Sequence, residues 1–263
     1  MRKALWVLCL SALLLPAFAA AQSAFDGTWK VDMNKVDFPK KPDVYLLQNG
    51  TYECKTCVPE VKVPADGQDH SVTGHPYYDS VAIKVVSDHQ IEETDKKGGK
   101  TVATSKLTIS SDDKTMHVDF SDSSNSNADP VTGSGEAERV TNGPAGANAI
   151  SGSWRTTKMD NISDNGITWS YKVSGDELTM TTPTGQSYTA KMNGTEAPMK
   201  GDPGITSISV KPVGKNGLEE IDMRDGKVIG VMKAKLSSDG KTMDIVYEDK
   251  LHGTTMKTVA TKQ

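Results

Sequence analysis

The sequence is poor in helix signals. After residue 22, no segment keeps apolar residues at the 3.6-residue period of an amphipathic helix. An all-α or alternating α/β fold is excluded on that ground. Charge of one sign is also missing. Thirty Lys and Arg are interspersed with 34 Asp and Glu, for a net charge of -4. No basic patch with interleaved aromatics occurs, so no nucleic-acid partner is expected. No Lys/Arg cluster suggests a membrane surface. The catalytic signatures Gly-x-Ser-x-Gly and His-Glu-x-x-His and a phosphate-binding Gly loop are all absent. The expectation is a non-enzymatic protein without a cofactor. Phenylalanine is scarce, with four residues, and cysteine is limited to Cys9, Cys54 and Cys57.

The N-terminus reads as a secretory signal peptide over residues 1–21. Arg2 and Lys3 form a basic start, and an apolar run from Ala4 to Leu15 is too short to span a bilayer. Pro16 ends the run, and Ala19-Ala20-Ala21 offers a small-residue cleavage site before Gln22. No later stretch could form a transmembrane segment. The expected location is therefore secreted or periplasmic.

The most informative pattern is an internal repeat. Gly99–Asp122 realigns on Gly226–Asp249, 127 residues on, with ten of those 24 positions identical. The same offset places Asp66-Gly67 on Asn193-Gly194 and Val81/Ile83 on Ile208/Val210. An offset of 125 places Trp29 on Trp154. A period this long means one domain duplicated. Residues 22–142 read as the first repeat, 143–149 as a linker within the segment Asn142–Ala149, NGPAGANA, and 150–263 as the second repeat.

Within each repeat, strand signals dominate. Val81, Ile83 and Val85 alternate with polar or small residues, as do Met116, Val118 and Phe120. Met243, Ile245 and Tyr247 repeat that alternation, so the apolar face should be buried and His117, Asp119 and Asp244 should face water. Asn49-Gly50, Asp66-Gly67, Asn193-Gly194 and Asp225-Gly226 are hairpin dipeptides. The fold class is all-β: two tandem homologous antiparallel meanders of eight to ten strands. Closure into barrels would remove the exposed edges, and a β-sandwich or open clam is the alternative. Gly27-Thr28-Trp29 and Gly152-Ser153-Trp154 each open a repeat. This resembles the Gly-x-Trp signature of lipocalin-type (calycin) barrels. The resemblance implies a Trp plugging one barrel end, with a basic residue from the last strand packed over it. Arg139 would serve in the first repeat, and Lys257 or Lys262 in the second.

Cys54-x2-Cys57-x12-His70-x4-His75 has zinc-finger spacing, but the second half reads as a hairpin and Pro76 opposes a helix. Pairing about Asp66-Gly67 would set Val63 opposite His70 and Val58 opposite His75. Export leaves Cys54 and Cys57 as an even pair, for which a disulfide is expected. A metal site at Cys54, Cys57, His75 and His70, or free thiols, are the alternatives. The 127-residue offset replaces these four by Thr181, Thr184, Asp202 and Ala197, respectively for Cys54, Cys57, His75 and His70. Tyr77, Tyr78, Trp169, Tyr171 and Tyr188 carry polar handles on apolar rings and are the candidate ligand-binding residues. The expected function is an exported protein binding a small apolar or amphipathic ligand. A structural or interaction module of the cell envelope, or a metal- or thiol-dependent site in the first repeat, are the other readings.

Overall fold

The computed structural model describes residues 23–125 and 128–263. The signal-peptide reading of residues 1–21 lies outside them. Among the described residues, twenty strands carry the fold. The first ten are β1 (Gly27–Val31), β2 (Asp43–Gln48), β3 (Thr51–Cys54), β4 (Val61–Pro64), β5 (His70–Ser71), β6 (Ser80–Ser87), β7 (Gln90–Lys97), β8 (Lys100–Ile109), β9 (Thr115–Asp122) and β10 (Val131–Asn142). The second ten are β11 (Gly152–Asp160), β12 (Thr168–Ser174), β13 (Glu177–Thr181), β14 (Ser187–Lys191), β15 (Glu196–Pro198), β16 (Ser207–Val213), β17 (Gly217–Arg224), β18 (Lys227–Leu236), β19 (Thr242–Asp249) and β20 (Thr254–Lys262). They form two nearly closed antiparallel barrels of ten strands each.

The barrels do not divide the chain where the repeats do. The first barrel is the continuous run β2 to β11, in the order β4-β3-β2-β11-β10-β9-β8-β7-β6-β5. The second is β12 to β20, completed by β1 inserted between β12 and β20. Each Gly-x-Trp strand therefore serves the barrel of the other repeat. Residues 143–149 do not separate the barrels; they lie in the turn between β10 and β11, which pair within the first barrel.

The exchange leaves the chemistry of the plug intact. Trp29 is fully buried in the second core, and its indole N–H donates to Phe25 O at 2.8 Å. Trp154 does the same in the first core, donating to Ile150 O at 2.8 Å. Arg139 lies 4.0 Å over the Trp154 ring, so it covers the second repeat's tryptophan rather than Trp29. Its guanidinium also donates to Ser151 O and Ala149 O, both at 2.6 Å. Lys262 takes the corresponding place 5.2 Å over Trp29.

Closure uses the Asx-Gly turns, in a way the hairpin reading missed. Asp66-Gly67 does not pair β4 with β5. β4 pairs with β3, while β5 pairs with β6, setting His70 opposite Val81. Gly67 instead donates its N–H to Ile83 O at 2.9 Å, and Gly194 donates to Val210 O at 2.8 Å. Both glycines have positive φ, which lets the backbone turn in across the gap. Val81, Ile83, Met116, Ile208, Val210, Met243 and Ile245 are buried, whereas Val118 is half-buried. Asp119 and Asp244 are exposed, and His117 is half-exposed.

Candidate functional site

The interiors of the two barrels differ. In the second, a cavity of about 510 Å³ lies among Val31, Trp169, Tyr171, Met180, Glu220, Met232, Ile245, Tyr247, Met256 and Thr258. Phe120, Asp122, Asn125 and Val131 of the first barrel also border it. The corresponding space in the first barrel, beside Tyr45, Val118, Phe120 and Trp154, is only about 150 Å³.

Strand length explains the difference. β11 runs nine residues, and Met159 near its end packs over Gly135. A Cβ on Gly135 would lie 2.5 Å from the Met159 sulfur. β1 stops after five residues at Val31 and turns into a short 3-10 segment, Met33–Lys35. The second barrel thus receives no side chain like Met159. It carries Thr258 where strand pairing places Gly135 in the first barrel.

Glu220 lines the cavity, and Asp222 stands beside it. Glu220 and Asp222, two apart on β17, face inward on the same side of the strand as Leu218. They are 8% and 5% exposed. The Tyr188 hydroxyl donates to Glu220 Oε2, and the Tyr247 hydroxyl donates to Asp222 Oδ2 at 3.0 Å. Burial, reinforced by the neighbouring Asp222 charge, pushes the Glu220 carboxyl up to about 8. Burial raises Asp222 as well. The phenols of Tyr171 and Tyr188 are pushed up by burial. Asp222 Oδ1, Thr258 Oγ1 and Trp169 Nε1 have no hydrogen-bond partner among the described residues.

A polar band links the cavity to the first barrel. Thr182 donates to Gln186 Oε1 at 2.5 Å, and Thr184 donates to the same oxygen. The Gln186 amide donates to Asn125 Oδ1 at 3.0 Å. Asn125 in turn donates to Asp202 Oδ2 at 2.9 Å, and the Tyr77 hydroxyl donates to Asp202 Oδ1 at 3.0 Å.

The five aromatic candidates therefore separate. Trp169 and Tyr171 line the cavity, and Tyr188 sits behind it on Glu220. Tyr77 belongs to the contact between the barrels. Tyr78 packs against the first core, stacked on His75 with ring centroids 4.6 Å apart. Cys54 and Cys57 form a disulfide. His70 bonds Asp66 at 2.8 Å, and His75 stacks on Tyr78, so neither contact joins a histidine to the cysteines. Among the described residues, no group of three or more His, Cys, Asp or Glu is placed to hold a metal ion. Pairing also refines the counterpart of Cys54. Cys54 opposes Tyr45 as Met180 opposes Tyr171, so Met180 rather than Thr181 takes its place. The staple of the first barrel thus stands where the second has a cavity wall.

Sequence reasoning missed the carboxylates, although the signal was present. Ile91-Glu92-Glu93-Thr94-Asp95 recurs 127 residues later as Leu218-Glu219-Glu220-Ile221-Asp222. Compared with models of known protein families and with curated proteins, the chain matches none.

Proposed function

We propose that this is an exported, non-enzymatic binding protein for a small amphipathic molecule, held in the second barrel. The observation that carries this reading is the cavity of about 510 Å³, a size typical of small-molecule sites. Its walls combine Met180, Met232, Ile245 and Met256 with polar atoms that lack partners among the described residues. Such atoms are costly to bury and are ordinarily satisfied by a ligand or water. A purely structural module has no need of a hollow interior. The lipocalin-like Gly-x-Trp plug with a covering base supports the same assignment by analogy. Export is supported by the leader-like residues 1–21 and by the Cys54–Cys57 disulfide, which an oxidising compartment maintains.

The test is calorimetric titration of the exported chain with decanol below its solubility limit. Saturable binding near one equivalent is expected. Met232→Trp and Met256→Trp, which fill the cavity, should each weaken it at least about tenfold while circular dichroism stays native. Absence of saturable heat, or binding indifferent to both substitutions, refutes the assignment.

A further inference from the structure

The charge of the cavity lining specifies the ligand further. Its charged lining residues among those described are Asp122 and Glu220; no Lys, Arg or His joins them. Asp222 adds a second carboxyl beside Glu220, and Asp202 adds negative charge nearby. The groups acting on Glu220 are Asp222 and the Tyr188 phenol, and none is a cation. Buried carboxyls are ordinarily paired with a base or a metal. Here, among the described residues, the hydrogen bonds to them come from Tyr188, from Tyr247 and from one carboxyl to the other, and no base is among the partners.

A second observation is independent of the acids. Thr258 lines the same cavity, is 7% exposed, and its hydroxyl has no partner among the described residues. An ammonium group would donate to Thr258 Oγ1 and to the two carboxyls, and its positive charge would drive the proton off Glu220. Trp169 and Tyr171 offer aromatic surfaces that favour a cation.

We propose that the second-barrel cavity takes a primary alkylammonium amphiphile, with its ammonium group against Glu220 and Thr258 and the Asp222 carboxyl behind them. The apolar body lies along Met180, Met232, Ile245 and Met256. This assignment rests on the binding role above and names the chemical class of the ligand. The first barrel keeps the matching acids Glu93 and Asp95, but the small space beside Trp154 does not include them among its walls.

The test compares decylammonium, decanol and decanoate, which share one chain and differ in head-group charge. Each is titrated below its solubility or micellar limit into the exported chain near neutral pH. Decylammonium should bind at least about tenfold more tightly than decanol, and decanoate more weakly than decanol. Glu220→Gln should bring decylammonium to within about threefold of decanol. If decanol or decanoate binds the unaltered protein as well as decylammonium does, the ammonium assignment is overturned and the cavity remains a binding site. If none of the three binds saturably, the binding role itself fails. The comparison on the unaltered protein decides the matter whether or not Glu220→Gln folds.

Discussion

Position 230 has little room for a side chain because position 247 is tyrosine. A Cβ on Gly230 would stand 2.1 Å from the Tyr247 hydroxyl and 2.9 Å from Asp222 Oδ2. Both distances are far inside van der Waals contact. The first barrel resolves the same place differently: Ala103 and Phe120 stand 127 residues before Gly230 and Tyr247. There an alanine goes with a phenylalanine, which has no hydroxyl for a methyl group to meet. Gly230→Ala alone should destabilise by about 1–3 kcal/mol through overpacking. Tyr247→Phe alone should cost about 1–3 kcal/mol by leaving Asp222 Oδ2 without its donor. Together they recreate the pair of the first barrel, so the double variant should lose at least about 1 kcal/mol less than the sum. Denaturant unfolding of the four proteins measures this. Strictly additive costs would mean that the two positions do not share the space.

The acid-bearing strands β7 and β17 show what kind of information the sequence carried. The alternation in β6, β9, β16 and β19 was legible because Val81, Ile83, Met116, Ile208, Val210, Met243 and Ile245 go to the barrel core, although Val85, expected on the same buried face, is exposed near the end of β6. In β17 the alternation is just as regular, but two inward places are carboxylic acids, Glu220 and Asp222. Reading burial from hydrophobicity assigns such residues to water, and only the repeat itself could have marked them. The exchange of β1 with β11 was illegible for another reason. Both strands present Gly-x-Trp, and either can plug either barrel, so the pattern fixes the role but not the partner. The disulfide needed only two neighbouring cysteines, whereas the cavity depends on where β1 stops. The buried acids have a measurable consequence. The native state holds protons on Glu220 that the unfolded chain sheds near its ordinary 4.5. The native state thus binds more protons between 4.5 and about 8, and stability must fall as pH rises through that window. Glu93 is likewise raised to about 8 by burial and the Asp95 charge, and adds to the same slope. Melting temperature should therefore decline from about pH 5 to about pH 8.5. Glu220→Gln should lessen the decline, and Glu93→Gln with Glu220→Gln should lessen it further. A melting temperature that is flat or rising across this range would contradict the burial of unpaired carboxyls.

For the molecule as a whole, the decisive feature is that its first strand closes its last barrel. β1 lies antiparallel to β20, with Trp29 opposite Lys262, and Gln263 donates its N–H to Thr28 O at 2.9 Å. The C-terminus therefore ends beside the start of β1. In the first barrel the equivalent strands, β10 and β11, are joined through residues 143–151. The second barrel lacks that covalent link and relies on the chain returning from residues 32–42. Without β1, strands β12 and β20 become free edges, and the core loses Phe25 and Trp29. Deleting residues 23–42 should consequently expose the second barrel and spare the first. Amide hydrogen exchange should rise across residues 168–262 while remaining slow in β6–β9. Adding a peptide of residues 23–42 should restore protection, since the missing strand can be supplied in trans. The complementary experiment opens the chain at the exposed Lys40-Lys41 step and joins Gln263 to Ser23 through a copy of residues 142–149. That permutant makes both barrels continuous, and it should fold with both sets of amides protected and bind decanol as the parent does. If the deletion leaves residues 168–262 fully protected, β1 is dispensable to the second barrel. If the permutant fails to fold while the parent does, residues 32–42 do more than return the chain.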